Sequence, residues 1–297
     1  MKQIAIIAPT ASGKTALSIE MAHKTNSIIL SLDSLSIYKE IDIASAKPTL
    51  KERNGIVHFG IDELYPNEKF DVVKFIDIYK NAKKYALEYN KNLIIVGGTG
   101  FYLKAMIDGI SPMPTISDEI INRVFQKLKN LEKTYNELYK LDNEYMKNIK
   151  PNDKYRIEKV LSLYLATNTI PSVYFKQNPP IKVIDNIKLF EIIWDVKELN
   201  KRIAKRTKMM IKDGIIDETI YLEKKYTRSI APMNSIGIKE TLEYLDGKID
   251  KNQLEEKITI ATRQLAKRQR TFNKGQFRGV IKDNIENLKG KILQVLN

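Results

Sequence analysis

The chain alternates two kinds of apolar spacing. QIAII (residues 3–7), SIILSL (27–32) and NLIIV (92–96) are short, nearly continuous apolar runs, which reads as buried strands. Between them lie segments with helical spacing. One opens at about Lys14; another is DVVKFIDIYKNAKKYALEY, with Val73, Ile76, Ala82 and Leu87 among its apolar positions. Strand and helix alternating over the first 110 residues predicts a parallel sheet with crossover helices. The punctuation changes at SPMPT (111–115) and NPP (178–180), and between these proline-marked breaks the pattern is helical throughout. IKLFEIIWDV then reads as a strand returning to the sheet, and from Lys197 almost everything is helical. The expected architecture is α/β. Residues 1–114 and 182–297 form a P-loop-type parallel sheet core with crossover and C-terminal helices, and residues 115–181 form an all-helical insertion domain.

Composition narrows the chemistry. With no cysteine among 297 residues, disulfides and thiolate-bound zinc are excluded. No segment approaches eighteen uninterrupted apolar residues, so the expectation is a soluble, cytoplasmic protein with no membrane partner, monomeric by default. The net charge is +14, and +10 of it falls in residues 197–297, which points to a polyanionic partner or to a solvated lysine-rich surface.

The first strand runs into APTASGKT, a phosphate-cradling loop in which Ala8 replaces the usual first glycine. Gly13, Lys14 and Thr15 supply its essential end: inward backbone N–H groups, a lysine for charge and a hydroxyl for Mg²⁺. Such loops usually hold a nucleoside triphosphate. Ala8 is compatible with the motif if its backbone stays in the β region. The second strand ends SLDSLSIY, so Asp33 and Ser34 are expected across the crevice from the loop. Asp33 there serves a metal, acts as a base, or caps the following turn. The third strand ends GGTG (97–100), a second glycine-rich turn and a poor site for activating water.

Two later helices carry cations. Arg202 and Arg206 share a face, and Arg206 is within reach of a second phosphate. In NQLEEKITIATRQLAKRQRTFNKGQFR the apolar sector is Leu254, Ile258, Ala261 and Leu265. Arg263, Lys267, Arg270 and Lys274 fall opposite, a one-sign stripe suited to a nucleic-acid backbone.

Assembled, these segments resemble the tRNA dimethylallyltransferase (isopentenyltransferase) family, in its bacterial form. APTASGKTAL, LDSLSIYKEIDIASAKP and IIVGGTGFYLKAM are similar to the family's core motifs in order and spacing. NDKYRIEKVL, RIAKRTKMMIKDGII, NSIGIKE and ATRQLAKRQRTF match four further segments. The resemblance implies transfer of a dimethylallyl group from its diphosphate to N6 of the adenine 3′ of the anticodon in tRNA. It makes the diphosphate, not ATP, the occupant of the loop: Ala8, Pro9, Thr10, Ala11, Ser12, Gly13, Lys14 and Thr15 bind it, with Mg²⁺ at Thr15. Asp33 is implied as general base, Arg206 as a diphosphate contact and Thr99 as a neighbour of the target base. Contacts to the tRNA anticodon arm are implied for Asp33, Ser34, Leu35 and Ser36, and for Tyr155, Arg156, Ile157, Glu158 and Lys159. Arg123 stands two positions from where an arginine is often found. Among the departures, Ser36 stands where the family often has Gln or Leu, and Glu40 where it often has Gly. A kinase using ATP, a relative acting on free nucleotides and a plain RNA-binding protein are the competing readings.

Overall fold

The structure, a computed structural model, describes residues 1–297. Contacts divide the chain into two compact units, residues 1–105 with 185–297, and residues 106–184.

The first unit is built on six parallel strands: β1 (Gln3–Ile7), β2 (Ser27–Ser31), β3 (His58–Phe59), β4 (Asn92–Gly97), β5 (Lys188–Ile192) and β6 (Ile281–Asp283). They lie in the order β3-β2-β4-β1-β5-β6. The continuous apolar runs follow from burial on both faces, the usual condition of a parallel sheet. Ile4, Ile6, Ile94 and Phe190 pack with Leu17 and Met21 of α1 (Lys14–Lys24) and with Leu288 and Ile292 of α14 (Ile285–Leu296). The alternate strand residues face the other side, where α3 (Val72–Glu88) packs on β2 and β4. Each isoleucine buried this way stabilises the fold by about 2 kcal/mol. Because every strand is parallel, the segments after β1, β2, β4 and β5 all emerge at one edge, the edge where ligands of such sheets sit.

Three expectations need correction. Strands β3 and β6, of two and three residues, are absent from the sequence reading because runs that short carry no readable period. The inward face of α3 is Phe75, Ile76, Ile78, Tyr79, Ala82 and Ala86, while Val73 and Leu87 are each 58% exposed. The aromatic side chains Phe75 and Tyr79 set the rotation of the helix. The insertion, read as 115–181, packs as 106–184. Its ends are paired across an antiparallel bridge, with Ile110 and Ile181 exchanging N–H···O bonds and Val183 N–H donating to the Met106 carbonyl.

The second unit contains α5 (Asp118–Lys127), α6 (Leu131–Leu141), α7 (Asn143–Met146), α8 (Lys154–Thr167) and α9 (Pro171–Gln177). They close on Val124, Leu138, Met146, Ile157, Val160 and Leu161. Side chains of Ser117, Asn130, Asp142 and Asp153 accept the first free N–H groups of α5, α6, α7 and α8. Asp142 also accepts from the Ser172 amide at 2.7 Å, tying α9 to the start of α7.

In the first unit, the helices after β5 are α10 (Val196–Asp213), α11 (Ile215–Tyr226), α12 (Ile238–Leu245) and α13 (Lys251–Gln276), of which α13 packs along α10. The remaining α-helices of the chain are α2 (Leu50–Arg53) and α4 (Gly100–Asp108), and a short 3-10 turn spans Ala231–Asn234. No helix is long and apolar enough to cross a membrane.

Candidate active site

The loop between β1 and α1 is shaped for an anion. Ala8 is fully buried and keeps ordinary backbone geometry; the left-handed positions are Ala11 (φ 62°) and Gly13 (φ 85°). A left-handed alanine costs about 1–2 kcal/mol, and packing offsets it: Ala11 lies against the cluster of Leu199, Ile203, Ala266 and Trp194. The structure gives the N–H groups of Ser12, Gly13, Lys14 and Thr15 no acceptor, and they stand at the start of α1, where the helix dipole adds positive potential. The Thr10 amide alone in this stretch is bonded, to Gln269 Oε1 of α13 at 2.9 Å.

Asp33 leaves the end of β2. Its Oδ1 accepts the N–H groups of Leu35 (2.9 Å) and Ser36 (3.1 Å), so it does organise the following turn. Asp33 also lines a narrow cavity with Thr10, Lys14, Thr15, Ser31 and Arg206. It is the sole carboxylate there, and Lys14 makes no ion pair with it or with any other group. Burial, partly opposed by the Asp33 charge and reinforced by Arg206, lowers the Lys14 pKa to about 8. Burial likewise pulls the Arg206 guanidinium down, against the pull of Asp33. Its one hydrogen bond is from Nη1 to Thr10 Oγ1 at 3.3 Å.

Lys47, also on this cavity, is already neutralised. Its ammonium meets Asp42, Asp62 and the Tyr38 carbonyl, and Asp62 is further held by Arg53. Two unpaired cations therefore face one carboxylate, and the balance is positive.

Two further cavities share walls with the narrow one. A wide vestibule shares Lys14, Thr15 and Arg206, and opens past Arg202, Lys205 and Lys24. On another side, Thr10, Asp33, Ser45 and Arg206 also line a cleft that reaches Thr99, Ser235, Thr262 and Gln269. Arg206 lines all three. The side-chain oxygens of Thr15 and Asp33, with the hydroxyls of Ser31, Ser36 and Ser45 nearby, are of the kind Mg²⁺ takes. That ion takes one or two protein oxygens and completes its shell with phosphate and water.

The residues singled out in the sequence are distributed unevenly. Thr10, Ala11, Gly13, Lys14 and Thr15 line the cavities; Ala8, Pro9 and Ser12 do not, and the Ser12 hydroxyl is buried without a partner. Ser34, Leu35 and Thr99 join Asp33 on the cleft, and Ser36 is buried on the narrow cavity. Glu40 takes φ 65°, a geometry natural to glycine, and its carboxylate is tied to Lys225 and the Tyr226 hydroxyl.

In the helical unit Arg123, Tyr155, Arg156 and Lys159 are exposed, Glu158 is half-buried, and Lys159 lies over the Tyr155 ring. Ile157 is core, 0% exposed, so its side chain contacts no partner. On α13 the buried face is Leu254, Ile258, Thr259, Ala266 and Asn273, with Ala261 and Leu265 only half-buried. The helix turns Arg263, Lys267 and Lys274 outward, but Arg270 is partly inward, with Nε buried and unpartnered. A helix of 26 residues that packs on α12 and α10 along its length does not keep one sector inward throughout. Sequence reasoning missed Lys47, Gln269 and Trp194. Only Lys47, inside ASAKP, carried a local signal.

Known proteins resemble this chain in sequence and in fold. The IPP transferase family model matches residues 36–276. The tRNA dimethylallyltransferase of Aliarcobacter butzleri is 59% identical over 297 residues, covering 99% of each chain. That of Sulfurimonas denitrificans is 54% identical over 296 residues, covering all of both. Among solved structures, the tRNA isopentenylpyrophosphate transferase of Bacillus halodurans is 26% identical, covers 99% of this chain and 96% of that one, and superposes with a TM-score of 0.73. A eukaryotic dimethylallyltransferase acting on tRNA is 25% identical, with a TM-score of 0.82 over 96% of this chain and 74% of that one. With a family match across most of its length and relatives above half identity from end to end, the chain belongs to the IPP transferase family.

Proposed function

We propose that this enzyme transfers a dimethylallyl group from dimethylallyl diphosphate to N6 of the adenine 3′ of the anticodon in tRNA, releasing diphosphate. That it is a prenyl-transferring member of its family rests on the relatives. The donor, the nucleophile and the residue roles are the proposal. One observation carries it: Lys14, Thr15 and Arg206 line a cavity whose only carboxylate is Asp33, at the end of a loop whose amides at residues 12–15 are unpaired.

In this reading the allylic carbon–oxygen bond breaks and its electron pair leaves with the diphosphate. The loop amides, Lys14 and Arg206 take up that charge. The N6 lone pair forms the new carbon–nitrogen bond, and the Asp33 oxygen not engaged in the turn accepts the N6 proton. Mg²⁺ held at Thr15, when bound, adds charge neutralisation to the leaving group. An adenine stacked in an anticodon arm cannot reach Asp33, so it is flipped into the cleft beside Thr99. Arg263, Lys267 and Lys274, and separately Arg123, Tyr155, Arg156 and Lys159, offer cationic and aromatic contacts to the RNA.

The test is incubation with dimethylallyl diphosphate, Mg²⁺ and unmodified tRNA, followed by nucleoside mass analysis. Prenylated adenosine is expected. Asp33→Asn keeps an Oδ1 acceptor for the turn, so it should retain donor binding while losing about 10²- to 10⁴-fold in rate. An unchanged nucleoside profile from wild-type protein at saturating donor would sink the assignment.

A further inference from the structure

Trp194 lines none of the three cavities, yet its indole is bonded to the loop that forms them. It follows β5, and its Nε1–H donates to the Ser12 carbonyl at 2.9 Å, across 182 positions of sequence. The Arg202 guanidinium of α10 lies over the Trp194 ring, 4.6 Å from its centroid, and Arg202 Nε donates to the Ala11 carbonyl at 2.8 Å. No peptide bond in the chain is cis. In a trans peptide the carbonyl and the next N–H point in opposite directions. Fixing the Ser12 oxygen therefore fixes the Gly13 N–H, and fixing the Ala11 oxygen fixes the Ser12 N–H. These are two of the amides that the structure leaves unpaired.

We propose that Trp194 and Arg202 are positioning residues for the anion-binding loop. By occupying two carbonyls from outside, they hold the Gly13 and Ser12 amides in the orientation a diphosphate requires, before it arrives. The inference rests on the reading of this loop as a diphosphate site.

The physical need is specific to this loop. Two left-handed residues, Ala11 and Gly13, flank Ser12, so the peptides on either side of Ser12 can flip at low cost unless something holds them. A flipped peptide would present a carbonyl oxygen to an anion. The two donors, with the Ala11 methyl in the Leu199–Ile203–Ala266 cluster, close off that alternative. Trp194 touches the loop but not the cavities. Arg202 also borders the vestibule, so its charge can act on an anion directly.

Trp194→Phe separates the two effects, because it keeps a ring for Arg202 to stack on and removes the N–H donor together with part of the indole's packing surface. Calorimetric titration of the full chain with inorganic diphosphate and Mg²⁺ should show about fivefold weaker binding in this variant, the value of one net hydrogen bond. In steady-state assays KM for the prenyl donor should rise by the same factor. The kcat at saturating donor and the affinity for tRNA should stay at wild-type values, while the ligand-free melting midpoint falls by a few degrees with the lost packing. Equal diphosphate affinities in wild type and Trp194→Phe overturn the inference, as does a loss confined to kcat. Arg202→Lys, which keeps the charge but loses the stacked donor, carries the same test if the phenylalanine variant does not fold, and wild-type affinity there overturns it. A wild-type protein that takes up no diphosphate would remove the functional reading and this inference together.

Discussion

Lys14 shows how burial sets the working range of a single residue. Desolvation lowers its pKa to about 8 in the ligand-free protein. An anion placed beside it favours the charged form, so binding raises that pKa and takes up a proton whenever Lys14 starts out neutral. Below pH 8 the ammonium is already present. Above it, affinity for dimethylallyl diphosphate, whose phosphates are then fully ionised, should fall by up to about tenfold per pH unit. Calorimetry in buffers of different ionisation enthalpy should find little proton uptake at pH 7 and nearly one proton at pH 9. A pH-independent affinity between 7 and 9.5 would show that Lys14 does not meet the phosphates. The nearby Lys47 makes the contrast: with two carboxylates against its ammonium, it has no charge left for a ligand.

At the scale of elements, the segment after β2 carries part of the cavity wall without regular structure of its own. Asp42, Ile43 and Ala44 donate their N–H groups to the Glu218 carboxylate of α11 at 2.7, 2.7 and 2.9 Å. This clamp holds Ser45 and Ala46 against the narrow cavity. Glu218→Ala frees three donors at a half-buried site and should cost about 2 kcal/mol, seen as a melting midpoint lower by a few degrees and faster amide exchange at residues 42–44. Unchanged exchange there would show that the segment is held by its other contacts. Glycine matters at this scale too. A Cβ on Gly97 would meet the backbone of Leu32 at 2.9 Å, so β4 can approach the end of β2 only with glycine at that position. The GGTG turn is thus legible as a glycine-rich turn from the sequence, while the reason for its first glycine is a packing contact.

For the whole molecule, charge is the governing quantity. The excess of +14 is concentrated in the C-terminal third, and Arg263, Lys267 and Lys274 are exposed on one helix. If these three track an RNA backbone, replacing them together with glutamine should reduce the slope of log affinity against log salt by about 2–3 for tRNA. Turnover of bound tRNA should be unchanged. A slope equal to that of the wild type would mean the stripe is only solvated. Arg270 is left out because burial of its Nε marks a role in packing.

Local sequence determined a good deal of this protein. The apolar runs fixed four of six strands, and the helical insertion was marked by its prolines and spacing. The strand–loop–helix unit around Lys14 was readable because phosphate-cradling geometry imposes residue types within a few positions. The position of Asp33 across the crevice from Lys14 followed from the same logic, as that of the residue at a strand's carboxyl end. Tertiary structure alone decided the rest. It chose which faces of α3 and α13 turn inward, sent Ile157 to the core, neutralised Lys47, and brought Trp194, Arg202 and Gln269 to the loop from more than 180 residues away. A motif is a local constraint on the backbone, and composition and spacing record it. The partners that hold that backbone in place can come from any element the sheet brings to the same edge, and no spacing rule records them.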